Sequence, residues 1–254
     1  LQDKFPLLHP KLEQEDRDSI EAHLLNQSER RSDHGNTDET ARKVWKGILT
    51  DTREKLGNSL TQEQQHKVAE FERACEVEDR KTTWLHSKAK QIKKSIQALN
   101  PGESTSFTTG YRKLNASGHA MRVNCKKKEQ TGDYIFTVIN MWADDRNNGL
   151  QASVQPVSYT VTKEDFKKNG KKAIRQWDPC RVTDQTQSEI VRHLQHDILK
   201  DTLKGTSVQS VEHHLEPQNM GNCTFHSVRG SLEESGLSMG LYEILMLRVL
   251  AQLH

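Results

Sequence analysis

The chain has 254 residues with 37 basic and 35 acidic side chains, a net charge of +2, so it suits one large domain or two small ones and carries no global field for nucleic acid. Hydrophobic residues are only 33% and mean hydropathy is −0.86, a polar balance that points to a long helical part with one exposed face. Cys75, Cys125, Cys180 and Cys223 form no CxxC pair and no dense framework, which excludes a disulfide-built scaffold and reads as a reducing compartment. No apolar run reaches the ~18–20 residues of a membrane span. Leu1-Gln2-Asp3-Lys4 is not a signal peptide, and a start without Met is expected of a piece of something longer.

The first hundred residues read as a helical arm or bundle. Residues 10–29 carry Leu12, Ile20, Leu24 and Leu25 in a polar background, and 32–37 form a polar break. Ala41, Val44, Trp45, Ile48 and Leu49 then recur at helical spacing up to Gly57. Thr61-Gln62-Glu63-Gln64 has the form of a capping box, in which the Thr side chain accepts from the amide three residues on and the Gln reaches back. A long pattern follows through Val68, Phe71, Ala74, Trp84, Ile92, Ile96 and Leu99, and Pro101-Gly102 stops it. No catalytic constellation lies in this region, and its expected role is support or partner binding.

Past Pro101 the pattern changes. Residues 119–125 and 134–141 are strand-like, joined by a polar connection ending in Gly132-Asp133. If His119 faces Asn140, the same register pairs Met121 with Val138, Val123 with Phe136 and Cys125 with Tyr134, one mostly apolar face. Residues 150–210 read as mainly connective, with a strand at 154–161 and an amphipathic helix at 188–203 ended by Gly205. Lys126-Lys127-Lys128 and Lys171-Lys172 read as solvated loop charges, and His193 and His196 as solvated or capping residues. The apolar stretch 237–253 is the expected terminal core helix, or an exposed stump of a longer protein.

Two segments carry the chemistry. Gly118-His119-Ala120 with Asn140-Met141-Trp142 offers an imidazole and an orienting amide; Pro217-Gln218-Asn219-Met220-Gly221-Asn222-Cys223 offers a thiol with a second amide. Residues 224–232 read as the start of a buried helix, so Cys223 would stand at a helix N-terminus, where the dipole and free amides favour a thiolate. Gly221 allows close backbone approach, and Gln218 with the Cys223 amide can form an oxyanion hole. Taken singly, His119 and Asn140 are ordinary strand residues and Cys223 an ordinary buried thiol; the joint occurrence is the signal. His213, His214, Cys223 and His226 fit no standard zinc spacing, so neither metal nor cofactor is expected.

These residues resemble the papain-like cysteine hydrolases in circularly permuted order, His–Asn–Gln–Cys along the chain, and triads are defined by geometry rather than order. In that family the histidine is followed by Ala, and the orienting Asn stands in an Asn-Ser-Trp triplet. Here Met141 replaces the Ser, Asp144 and Asp145 downstream are alternative orienting groups, and Gln218 precedes Cys223 by five positions where the family has six. Gly221-Asn222-Cys223 also resembles the ovarian-tumour deubiquitinases, more weakly, because Met220 stands where they have Asp. The joint pattern is similar to permuted papain-like domains of bacterial secreted effectors, which act inside host cells.

The resemblance implies an α+β fold with a papain-like core, an antiparallel sheet plus central helix, over 101–254 behind a helical extension over 1–100. It implies a Cys223–His119–Asn140 triad with Gln218 at the oxyanion. The chemistry would be thiol attack on an amide, isopeptide or glutamine carboxamide of a host protein, ubiquitin and ubiquitin-like or signalling proteins among the candidates. A catalytically inactive scaffold for protein interaction is the alternative. Neither nucleic acid nor a membrane span is expected; oligomeric state, host substrate and choice of reaction are left open by the residues.

Overall fold

The computed structural model describes residues 45–47, 49–50, 53–54, 60–79, 88–113, 116–140, 156–178, 180–182, 186–208, 228 and 230–231. In chain order the elements are α1 (Gln62–Asp79), α2 (Lys88–Gln97), β1 (Ser104–Lys113), β2 (Ala116–Lys127), β3 (Tyr134–Ile139), β4 (Val157–Val161), α3 (Lys163–Trp177), β5 (Cys180–Val182) and α4 (Gln187–Arg192). A π-helix (His193–Thr202) continues α4, and β6 (Thr206–Val208) closes the series. The strands form one sheet in the order β5-β1-β2-β3-β4-β6. Five strands are mutually antiparallel, and β5 joins β1 in parallel. The fold is α+β.

The capping box at Thr61 is present: the Gln64 amide donates to Thr61 Oγ1 at 3.2 Å and the Thr61 amide to Gln64 Oε1 at 3.0 Å. Such a cap contributes roughly 1 kcal/mol. The turn at Pro101-Gly102 also stands where expected. Gly102 adopts φ +85°, a left-handed conformation suited to glycine, and its amide donates to the Lys127 carbonyl at 2.8 Å.

The two faces of the sheet differ in chemistry because strand side chains alternate. One face is apolar: Phe107 and Tyr111 from β1, Met121, Val123 and Cys125 from β2, Tyr134, Phe136 and Val138 from β3, and Tyr159 and Val161 from β4. Ala89, Ile92 and Ile96 of α2, Phe166, Ile174 and Trp177 of α3, and Leu194, Ile198 and Leu199 of the π-helix share this core. Phe166 stacks 4.9 Å from Tyr134 and 5.4 Å from Phe136, ring centre to centre. Trp177 donates its indole N–H to the Leu194 carbonyl at 2.9 Å.

The opposite face is polar yet buried. Arg122 is 0% exposed, and its guanidinium donates to Ser106 Oγ, Thr108 Oγ1 and Glu78 Oε2, each at 3.1 Å. It also lies over the Phe71 ring, 5.5 Å from the centroid. Glu78 accepts from the Thr108 amide at 2.7 Å, and Glu70 accepts from Ser104. Thus α1 presses carboxylates, rather than a purely apolar stripe, onto the sheet. A buried charge persists only when its hydrogen-bonding capacity is filled.

Several expectations need correction. Residues 104–113 form β1, an inner strand next to the edge strand β5, which the sequence pattern did not single out. In the stretch 150–210 the expected strand and helix are present, as β4 and as α4 with the π-helix, but α3, β5 and β6 lie there as well, so it is not mainly connective. Lys171 and Lys172 are solvent-exposed, as expected, but on helix α3 rather than in a loop. His196 is half-buried and lies 3.2 Å from the Tyr159 hydroxyl through Nδ1. Residues 62–97 share hydrogen bonds and core with 104–139. Residues 10–29, 32–37 and 237–253 lie outside the described residues. No described helix is long and apolar enough to cross a membrane.

Candidate functional site

His119 lies in β2, on the apolar face at the end of the sheet, and Asn140 directly follows β3. The expected register is off by two. The ladder pairs Val123 with Val138 and Cys125 with Phe136, so Met121, not His119, is opposite position 140. A shift of two preserves the face, whereas a shift of one would invert it. His119 therefore meets Asn140 as a diagonal neighbour, within reach of long side chains. The contact forms: His119 Nε2 lies 2.7 Å from Asn140 Oδ1.

An amide oxygen only accepts, so Nε2 carries the proton and Nδ1 is the lone-pair atom of the ring. Both residues are buried, at 6% and 8% exposure. Burial pushes His119 below its ordinary value, and the Asn140 hydrogen bond pulls the other way without cancelling it. The ring is accordingly neutral at pH 7, an imidazole able to accept a proton through Nδ1.

Two residues around His119 escaped the sequence reading. Tyr111 is its Cα partner across β1 and β2, with ring centroids 6.0 Å apart. Gly110, paired with Ala120, has φ +147°, and a Cβ there would stand 2.1 Å from the His119 carbonyl oxygen. Backbone thus packs directly on the histidine. The alternation Phe107, Thr109, Tyr111 was the available signal for this strand, weakened by Gly110 within it.

The thiol side is described only in part. Cys223, Gln218, Asp144 and Asp145, along with Met141 and Trp142, lie outside the described residues, as do His213, His214 and His226. Residues 228 and 230–231 are helical, in the segment expected to form a buried helix after Cys223, with Val228 at 0% and Ser231 at 3% exposure. Asn124 of β2 donates to the Ser231 carbonyl at 3.1 Å, and Ser231 Oγ donates back to Asn124 Oδ1 at 2.5 Å. Ser231 is thereby fastened to the strand that carries His119, on its polar face. Among the other cysteines, Cys75 and Cys125 are buried, and burial pushes the Cys125 thiol well up. A thiol so raised is inert at neutral pH.

The fold and the His–Asn pair define an α+β protein with an orienting amide on a buried imidazole. No family model matches the chain, and no curated protein matches it. Among solved structures it is similar to the Legionella effector AnkH, with a TM-score of 0.55 and 14% identity. The match covers 94% of this chain and 51% of that one, so the chain spans about half the length of the structure it matches. At that identity the likeness is one of fold.

Proposed function

We propose that the protein is a cysteine hydrolase or transferase with a permuted papain-like core, using Cys223, His119 and Asn140, with Gln218 and the Cys223 amide at the oxyanion. The observation that carries this reading is the 2.7 Å bond from His119 to Asn140. An amide that fixes the tautomer of a buried imidazole is what such a triad requires. The likeness in fold to an effector is consistent with a bacterial protein delivered into host cells, acting on an amide, isopeptide or glutamine carboxamide of a host protein.

In the reaction, His119 Nδ1 takes the Cys223 proton as the thiolate attacks the amide carbon. Burial favours the neutral ring, the form that accepts this proton. The His119 imidazolium, held by Asn140, then protonates the leaving amine. Water or a second amine releases the acyl group from sulfur and regenerates the thiol.

The burial of His119 also favours one other reading, a catalytically silent scaffold in which the His–Asn bond merely closes the sheet and the helical arm docks a partner. Iodoacetamide labelling of the native protein at neutral pH, read by peptide mass spectrometry, separates the two. The enzyme reading expects Cys223 to label well ahead of Cys75 and Cys125, and the rate to fall at least about tenfold in His119→Ala, the scale of a lost general base. Labelling of Cys223 that is indifferent to His119 supports the scaffold and ends the triad.

A further inference from the structure

Helices α2 and α3 pack side by side on the apolar face of the sheet, with Lys93 Nζ donating to the Lys167 carbonyl at 2.5 Å. Each buries one stripe, Ala89, Ile92 and Ile96 in α2 and Phe166, Gly170, Ala173, Ile174 and Trp177 in α3. The remaining surface is cationic. Helix α2 carries Lys88, Lys90, Lys93 and Lys94 and no carboxylate; α3 carries five lysines and Arg175. The two carboxylates of α3, Glu164 and Asp165, both sit in its first turn, where Thr162 caps the helix onto Asp165. Ten cations thus stand against two carboxylates on two adjacent helices, +8 locally in a chain whose total is +2. Among the described residues none of the ten is ion-paired with a carboxylate. Lys94, Lys163, Lys167, Lys168, Lys171, Lys172 and Arg175 are exposed.

Like charges concentrated without counter-charges are held at a cost in self-repulsion, which an anionic partner relieves. We infer that the α2–α3 face is a docking surface for an anionic phospholipid bilayer, engaged peripherally through headgroup phosphates and carboxylates.

Three observations favour lipid over nucleic acid. Nine of the ten cations are lysines, point charges suited to a diffuse anionic surface; only one arginine is present to offer a bidentate fork. Every described Phe, Tyr and Trp ring is buried, and the one exposed large hydrophobic side chain among the described residues is Val208, in β6, so no stacking platform for bases stands on this face. Two helices side by side, roughly 15 and 22 Å long and ~8–10 Å apart, form a plate, which brings its charges against a planar membrane together. With no apolar wedge on the face, attachment is electrostatic and reversible by salt.

The test is co-sedimentation of the full 254-residue chain with vesicles of phosphatidylcholine, alone or with about one-third phosphatidylserine. Binding is expected only to the anionic vesicles at about 0.05 M salt, and to disappear near 0.5 M as screening shortens. The quadruple variant Lys90→Gln, Lys94→Gln, Lys168→Gln, Lys172→Gln should lose affinity by about 10²–10³, at roughly fivefold per lysine. The matched control, Lys46→Gln, Lys126→Gln, Lys200→Gln, Lys204→Gln, makes the same change in net charge off the face and should stay within about twofold of the parent. Equal losses in the two variants, binding to neutral vesicles, or tighter binding to a short DNA or RNA duplex than to anionic vesicles at the same salt would each overturn the proposal.

Discussion

At the scale of single residues, His119 is the centre of the proposed chemistry. Its folded-state value lies below its ordinary one of ~6.5 because burial disfavours the charged ring. As pH falls, the unfolded chain therefore takes up this proton first. The contribution to stability is complete above ~6.5 and is lost as pH drops from there toward the folded-state value. Thermal unfolding between about pH 5 and 8 should show this acid-side loss, and His119→Gln, which has no proton to take up, should flatten that component. An unchanged profile in the variant would mean that His119 is solvated and not the buried ring described.

At the scale of elements, the β1–β2 pair decides whether the site can form. The two strands press together so closely at Gly110 that any side chain collides with the His119 carbonyl, and φ +147° is itself strained for other residues. Gly110→Ala should cost at least ~1–3 kcal/mol in urea denaturation and shift the His119 ring resonances. A silent substitution would show that the strands can part there. The pairing of β2 with β3 teaches a related lesson. Alternation in the sequence identified which residues share a face, and they do. The ladder itself came out two residues away, because parity is set by hydrophobicity whereas absolute register follows from the turn, here the left-handed Gly132 (φ +72°) and the Lys128–Asp133 backbone bond of 2.8 Å.

At the scale of the whole molecule, the polar layer between α1 and the sheet ties the helical part to the strands. Glu78 and Arg122 have fully buried side chains 3.1 Å apart. Glu78→Gln strands the Arg122 charge and should cost ~3–5 kcal/mol, while adding Arg122→Met should recover most of that loss. By the same reasoning residues 101–254 alone should lack a cooperative unfolding transition, since Arg122 would then face a cavity without its carboxylate. A sharp transition in that fragment, read by circular dichroism, would restore residues 1–100 as a separable arm.

The helices and strands with one apolar stripe were legible in the sequence: Val68, Phe71 and Ala74 in α1, Ile92 and Ile96 in α2, the cap at Thr61, the stop at Pro101-Gly102, and the His119–Asn140 pair. Each is a local pattern, settled by spacing within a few turns or one hairpin. What stayed hidden was whatever depends on a distant partner. β1 reads as a polar, Thr- and Ser-rich segment until α1 supplies Glu70 and Glu78 to its exposed donors. Helix α3 reads as a lysine-rich connection until Phe166 and Trp177 find Phe136. Arg122 looks like a surface cation until α1 and β1 close around it. Burying polar groups is favourable only once their partners are in place, and those partners lie 14 to 44 residues away along the chain, so only the tertiary structure could decide them.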